Sequence, residues 1–401
     1  MNRSRLANIF FIVFVDLLGF GLILPLLPYY AEEFGATPTL VGLLVASNAA
    51  ANLIGAPILG RLSDRFGRRP VLIASISSTL AGFLILGFAN SLWMLFLARI
   101  LDGLIGGNIS VAQAYITDIT DEENRARGLG LIGAAFGLGF IIGPALGGSL
   151  SRFGYAIPAF AAAGLAALNL TGVTLWLPES LSLEQRSSSE NQRPEINLRS
   201  LLAALRRPVV GPLLHTRLFF AFAFSLFQTI FALYAQYRLD LNAQSTGLVL
   251  TYVGLLSVLV QGVAMGRLTR RFSEPALIFS ATVMMSAGLL AWAWTPNVIT
   301  LLIVLIPLAL AGGILNTVIN SSLSKAVAPN EIGGTLGLSS ALENLTRVFS
   351  PSVGGLLLEF AGTWAPGLLG AAMMAWLASF VWRHIYAPFK PQAQEHLTPP
   401  G

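Results

Sequence analysis

Five charged side chains fall deep inside long apolar stretches of this sequence, away from their ends: Asp16, Arg99, Asp102, Glu343 and Arg347. A charge at mid-bilayer costs about 2.5–3.5 kcal/mol on insertion scales, so such residues face water or one another rather than lipid. Burial favours the neutral form of a carboxyl, which lets it take and release a proton as its surroundings change. Asp102 follows Arg99 by three positions and Arg347 follows Glu343 by four, so each pair occupies neighbouring positions on a helix. Asp16 has no Lys or Arg within a helical turn. Its charge must be met by water, by a substrate cation or by an arginine from another helix. Two readings of these groups stand side by side. They exchange protons as the molecule changes state, or the pairs are permanent and merely lower the cost of insertion.

A second set of polar residues is uncharged. Asn48 with Asn52, and Asn316 with Asn320, are amide pairs four residues apart, and Gln113 and Gln261 also fall in apolar segments. Amides inside a membrane bond across helices or face a cavity. Phe220, Phe224, Phe227, Phe231 and Tyr234 recur at steps of four, three, four and three, beside Gln228. That stripe is either core packing or the wall of a cavity. An aromatic, amide-lined cavity with a few acids suits a large amphipathic or cationic compound. It suits a sugar or a phosphate poorly.

The elements that hold these residues follow from composition. Of 401 residues, 55% are hydrophobic and 11% charged, against roughly 25% charged in a soluble protein. The chain reads as an all-α, multi-pass membrane protein. Cutting at about 20 apolar residues per crossing gives twelve spans, near 7–30, 40–62, 70–90, 92–116, 127–150, 155–177, 213–237, 245–268, 275–296, 298–325, 332–358 and 364–386. The first is too long for a cleavable signal and carries Asp16, Pro25 and Pro28. The stretch 178–212 is polar and Ser-rich, a linker between residues 1–177 and 213–401. Twenty Lys and Arg fall on one side of this topology, against Arg152 and Arg238 on the other. The positive-inside rule then places both termini in the cytoplasm. The net charge of +5 thus reports topology, and no nucleic-acid partner is expected.

The absence of cysteine excludes disulfides and thiolate sites. His215, His384 and His396 are dispersed without metal-ligand spacing, and there is no nucleotide-binding loop. No metal, cofactor or enzymatic site is expected. Energy must come from a gradient, with protons the economical choice and sodium open.

Two short motifs recur at half-chain spacing. GRLSDRFGRRP begins at Gly60 and GRLTRRFSEP at Gly266, an offset of 206; GPALGG begins at Gly143 and SPSVGG at Ser350, an offset of 207. One half is a degenerate copy of the other, and parallel repeats with a midplane site are a known transporter plan. In the first motif Gly60 and Gly67 permit close approach and a tight turn. Asp64 there sits among Arg65, Arg68 and Arg69, with Asp118 a second candidate partner at the end of span 4. In the second copy Arg270 stands in place of the acid.

These motifs carry a resemblance across essentially the whole chain. GRLSDRFGRRP resembles the signature turn of the major facilitator superfamily. DLLGFGLILPLLP (Asp16–Pro28), ARILDGLIGG (Ala98–Gly107) and GLGFIIGPALGG (Gly137–Gly148) resemble the first-helix, fourth-helix and fifth-helix motifs of its twelve-helix drug:proton antiporters. AYITDITDEENRARG (Ala114–Gly128) and FALYAQYRLDLNAQSTG (Phe231–Gly247) are similar to the tetracycline/proton antiporter branch. The resemblance implies the major facilitator fold, with twelve transmembrane helices in two pseudo-symmetric six-helix bundles. It implies a cytoplasmic gate latch at Gly60, Asp64, Arg65, Gly67, Arg68, Arg69 and Asp118. It also implies proton coupling through Asp16 and Arg99, and an exchange-type role for Gly137, Gly143, Pro144, Gly147 and Gly148. The tetracycline branch carries intramembrane acids in spans 3 and 9, where this chain has none; Asp102 and Glu343 replace them, or the coupling differs.

The expectation is a monomeric, proton-coupled antiporter of the inner membrane, exporting amphipathic drugs or lipophilic small molecules by alternating access. A lipid or lysolipid exporter on the same fold is the alternative, and a non-transporting membrane sensor is a second.

Overall fold

The computed structural model describes residues 3–181, 203–328 and 331–388, with side chains for all of these except 3–5, 122–123 and 125–127. The side chains of Arg3, Arg5, Arg125 and Arg127, and all of Arg186, Arg193, Arg199, Lys390, His396 and most of the expected linker, lie outside that description. The described residues form helices and turns without a strand.

Helix α1 runs Arg3–Ile23, α2 Leu27–Glu33, α3 Pro38–Phe66, α4 Arg68–Gly87, α5 Leu92–Ile105, α6 Asn108–Ile119, α7 Glu122–Leu150 and α8 Ala156–Trp176. After them come α9 Val210–Leu239, α10 Ala243–Leu259, α11 Met265–Arg271, α12 Glu274–Ala293, α13 Val298–Lys325, α14 Ile332–Phe360 and α15 Ala365–Val381. Among the described residues, eleven helical segments are long and apolar enough to cross a membrane. The twelfth expected span is α14, which at 29 residues is also long enough. It carries Ser339, Ser340, Glu343, Asn344, Thr346 and Arg347 in its middle.

Four expected segments differ in detail. Span 1 is two helices, because Pro25 and Pro28 lack the N–H groups that would continue α1, and the chain turns at Leu24–Leu26. Span 4 breaks at Gly106–Gly107, between α5 and α6. Span 8 contains a π-helical turn, Val260–Ala264, between α10 and α11. The charged motif is mostly helix: α3 continues to Phe66, Gly67 alone turns the chain at φ 103°, and α4 starts at Arg68. Only glycine adopts that φ without strain. Gly60 lies inside α3.

By packing, the chain divides into two compact units. The first holds residues 1–193 with 235–255, and the second 194–234 with 256–401. In the first, α1 lies along α7 and against α8, and α3 pairs with α5. Leu6, Ile9, Val13 and Leu17 of α1 meet Leu72 and Ile76 of α4 and Tyr115 and Ile116 of α6 in one core. In the second, α12 packs on α13 and α15. Its core is aromatic, with Trp292 packed between Phe227 and Tyr234.

Candidate functional site

The interior of the first unit holds a continuous chain of hydrogen bonds between two acids. Asn108 Nδ2 donates to Asp16 Oδ1 at 2.6 Å and lies 3.3 Å from Thr79 Oγ1. Thr79 Oγ1 in turn donates to Asp102 Oδ1 at 3.0 Å. Asp102 Oδ2 accepts from Arg99 Nη1 at 3.3 Å and from Asn48 Nδ2 at 3.2 Å, while the same Asn48 amide reaches the Arg99 carbonyl at 2.9 Å. The Arg99 guanidinium lies 5.9 Å from the Phe20 ring. The break in span 4 positions this chain. It makes Asn108 the first residue of α6, facing α1 and α4 together.

The second unit has its own buried centre. Arg217, on α9, is 5% exposed. Its Nη1 donates to Asn316 Oδ1 at 2.7 Å, and its Nη2 pairs with Glu343 Oε2. The other carboxylate oxygen, Oε1, takes Arg347 Nη2 at 2.8 Å. Two guanidinium groups therefore share one carboxylate. Arg217 is one of the twenty cations assigned to the cytoplasmic side in the sequence; it lies inside α9, a turn beyond the expected start of span 7, with its side chain buried.

At the charged motif, Arg68 Nη1 meets Asp64 Oδ1 at 2.6 Å and Ser63 Oγ at 2.6 Å, and its Nε meets Asp118 Oδ2 at 2.9 Å. Of the three expected arginines, Arg68 is the one whose ion pair with Asp64 is formed, being four residues on. Arg65 lies against the Phe66 ring, and Arg69 Nη2 donates to the Thr174 carbonyl. Glu179, not singled out in the sequence, accepts from the backbone N–H groups of Arg68 at 2.8 Å and Arg69 at 3.2 Å. It thereby caps the start of α4.

The glycine motif of span 5 forms a seam. A Cβ at Gly143 would lie 2.6 Å from the Gly21 carbonyl carbon, and one at Gly147 would lie 2.2 Å from the Leu22 carbonyl oxygen. The seam thus holds α1, and with it Asp16, against α7. Gly148 faces Ala243 and Gln244, and the Pro144 carbonyl abuts Gly247. Gly137 lies half-buried on the same helix.

The remaining expected residues are dispersed. Gln113, Gln228, Gln261 and Asn316 are exposed, and Asn52 and Asn320 are half-buried one turn beyond Asn48 and Asn316. The aromatic stripe is a packing seam. Phe220, Phe227, Phe231 and Tyr234 are buried, the Phe224 ring packs against Gly312, and Tyr234 donates its hydroxyl to the Trp292 carbonyl. Sequence reasoning missed Asn108, Thr79 and Arg217. Asn108 directly follows a glycine pair in an apolar span, and Arg217 lies four residues inside one; both signals were present. Thr79 had none, since a hydroxyl in an apolar helix usually bonds its own backbone.

A multi-pass helical bundle with ionisable centres inside each unit defines a membrane transport protein. A model described as Major Facilitator Superfamily matches residues 9–294 and, in a second match, 217–399. The chain belongs to the major facilitator superfamily, a family of membrane transporters. It is 32% identical over 390 residues to the tetracycline resistance protein, class H, of Pasteurella multocida, covering 96% of this chain and 97% of that one. It is 30% identical over 350 residues to multidrug resistance protein 2 of Bacillus subtilis, covering 86% and 87%. Among solved structures, the human organic anion transporter MFSD10 superposes with a TM-score of 0.70 at 23% identity, over 94% of this chain and 99% of that one. At that identity the match speaks for the fold.

Proposed function

We propose that this protein is a proton-coupled antiporter of the inner membrane, with both termini cytoplasmic, that exports amphipathic drugs or related lipophilic compounds by alternating access. The observation that carries the proposal is the hydrogen-bonded chain from Asp16 through Asn108 and Thr79 to Asp102. Three donors meet the Asp102 charge: Thr79, Asn48 and Arg99. Asp16 receives Asn108 and, among the described residues, has no ion-pair partner. Asp16 is therefore the acid that gains most by taking a proton.

A protonated Asp16 becomes a donor and needs an acceptor. The Asn108 Oδ1 atom is buried and unpartnered among the described residues. Turning the amide over offers that oxygen to Asp16 and withdraws Nδ2 from Thr79. Proton occupancy at one acid is then felt at the other, which is what an exchanger needs in order to keep proton and substrate apart. Moving one charge across 100 mV is worth about 2.3 kcal/mol, enough for a concentration ratio of roughly 50. The Asp64–Arg68–Asp118 cluster serves in this reading as the fixed part of the cytoplasmic gate. Drug resistance in the relatives' names supports drugs as the cargo.

Purified protein in proteoliposomes, given an imposed pH gradient, tests this with tetracycline, ethidium and a labelled lysolipid. Drug accumulation that collapses with the gradient is the expected result. Movement of the lysolipid alone, or drug movement indifferent to the gradient, overturns it.

A further inference from the structure

The polar centre of the second unit holds more positive charge than it neutralises: two arginines share one carboxylate. Both Glu343 oxygens accept from arginines, Oε2 from Arg217 and Oε1 from Arg347. Asn316 Oδ1 is taken by Arg217 Nη1 at 2.7 Å. With its oxygen committed, Asn316 must present its Nδ2 donors to the exposed side. Arg347 does the same with the N–H groups it does not give to Glu343, since 56% of its side chain is exposed. On α14, Ser340, Asn344 and Arg347 follow at steps of four and three and all are exposed. They form one polar face near the midpoint of a helix of 29 residues. A half-exposed arginine at that depth cannot face hydrocarbon, so the face is wet. Behind it, Arg217 Nε is buried without a partner among the described residues.

A wet face that offers a surplus guanidinium and an amide donor selects for an acceptor that carries negative charge. We propose that this face binds the acidic group of an amphipathic substrate, such as a carboxylate, sulfonate or acidic enol. Arg347 is the charge partner and Asn316 Nδ2 a second donor. Arg217 and Glu343 are positioning residues: they consume the competing acceptors and hold both donors in place. The proposal rests on the transport reading above and makes compounds with an acidic group the preferred cargo at this face. A cationic group is disfavoured here, because two guanidinium groups face a single carboxylate and the centre keeps a net positive charge.

The full chain in lipid nanodiscs separates the possibilities with a matched series of probes: 1-pyrenebutyrate, its carboxamide and 1-pyrenebutylamine. Pyrene fluorescence is read against empty nanodiscs. The carboxylate should bind about tenfold more tightly than the amide and the amine, the scale of one charge-assisted contact. R347Q should bring carboxylate and amide within about twofold of each other, and R347K should retain about half of the logarithmic preference. Thermal melting confirms that each variant is folded. A carboxylate no tighter than its amide in the unaltered protein, or a preference that survives R347Q in folded protein, overturns the proposal. Proteoliposome uptake keeps the two readings apart. Gradient-driven accumulation of the amine with no carboxylate preference sinks the acidic-group site and leaves the antiporter standing. Carboxylate preference without accumulation does the reverse.

Discussion

Arg68 and Glu274 hold equivalent places in the two repeats and carry opposite charge. Each begins the helix after the charged motif, α4 or α12, at an offset of 206. Each reaches a residue near the end of the next span, and those partners, Asp118 and Lys325, are offset by 207 and are likewise inverted. Glu274 suits its position, because a carboxylate at a helix N-terminus meets the positive end of the dipole. It also accepts from Ser321 and Ser322 at 2.7 and 2.8 Å. Arg68 is unfavourable there, and the Glu179 carboxylate on its backbone N–H compensates. The acid missing at Arg270 in the second motif has thus moved four residues on, to Glu274.

The two pairs should differ in strength. Arg68 is buried and the Asp118 side chain that meets it is 17% exposed, whereas Lys325 is 68% exposed. D118N should cost about 2–3 kcal/mol, below the usual loss for a broken buried pair because Asp64 still holds Arg68. K325Q should cost less than about 1 kcal/mol, as exposed pairs do. Thermal unfolding of the purified variants checks this. Equal losses would mean that burial does not set the difference.

The relay between the acids makes a graded prediction for transport. D16N should abolish gradient-driven accumulation while leaving downhill exchange. N108A keeps the acid and removes a donor to its ionised form, so the pH profile of uptake should move to the alkaline side. T79V should uncouple Asp102, lowering the number of protons moved per substrate with substrate binding retained. Uptake against pH, with proton flux read by an entrapped dye, distinguishes the three. Identical profiles for N108A and the unaltered protein would remove Asn108 from the coupling path.

The helices were legible because apolar runs of about 20 residues have one stable form in a bilayer. Their interruptions were not. Gly106–Gly107 breaks span 4, yet Gly312–Gly313, at the same offset of 206, sits inside the continuous helix α13. A glycine pair permits a break, and tertiary partners decide whether it occurs; Asn108 has such partners in Asp16 and Thr79. The intrahelical pairs at 99–102 and 343–347 follow from spacing alone, but the third member of the second pair, Arg217, could only be assigned once α9 was placed beside α13 and α14. The stripe from Phe220 to Tyr234 has the period of a helix face, and period carries no information about whether that face meets a cavity or a neighbouring helix.

The seam between α1 and α7 sets the position of Asp16, which gives it a consequence beyond stability. A Cβ at Gly147 would sit 2.2 Å from the Leu22 carbonyl oxygen, a backbone atom that cannot turn aside. G147V should therefore push α1 outward at a cost of about 1–3 kcal/mol and impair transport through Asp16. G133A, on the same helix, meets nothing within 4 Å and serves as the control. Its melting temperature should not fall and its uptake should match the unaltered protein, since alanine is the better helix former; a loss in G133A equal to that in G147V would show that the close approach at Gly147 is not the cause.

A second clasp in the first unit holds the α9–α10 connection against α2. Tyr29 Oη lies 2.7 Å from Thr246 Oγ1 and donates to the Leu241 carbonyl at 3.0 Å. Glu32 accepts from Gln236 Nε2 at 2.5 Å and from the Tyr237 hydroxyl. A phenol keeps its proton below about pH 10, so these hydrogen bonds persist across the neutral range. In the proposed alternating-access cycle a clasp of this kind would have to open, so weakening it should change dynamics before it changes folding. Y29F removes contacts worth about 0.5–1.5 kcal/mol each, and backbone amides of residues 236–247 should exchange with deuterium about threefold to tenfold faster. E32Q removes charge-assisted acceptors and should accelerate the same amides more. Exchange in α12 should be unchanged, and between pH 6 and 9 the effect of Y29F should not vary. Uniform acceleration across both units would show global destabilisation, and no acceleration at 236–247 would show that these hydrogen bonds do not hold the connection in place.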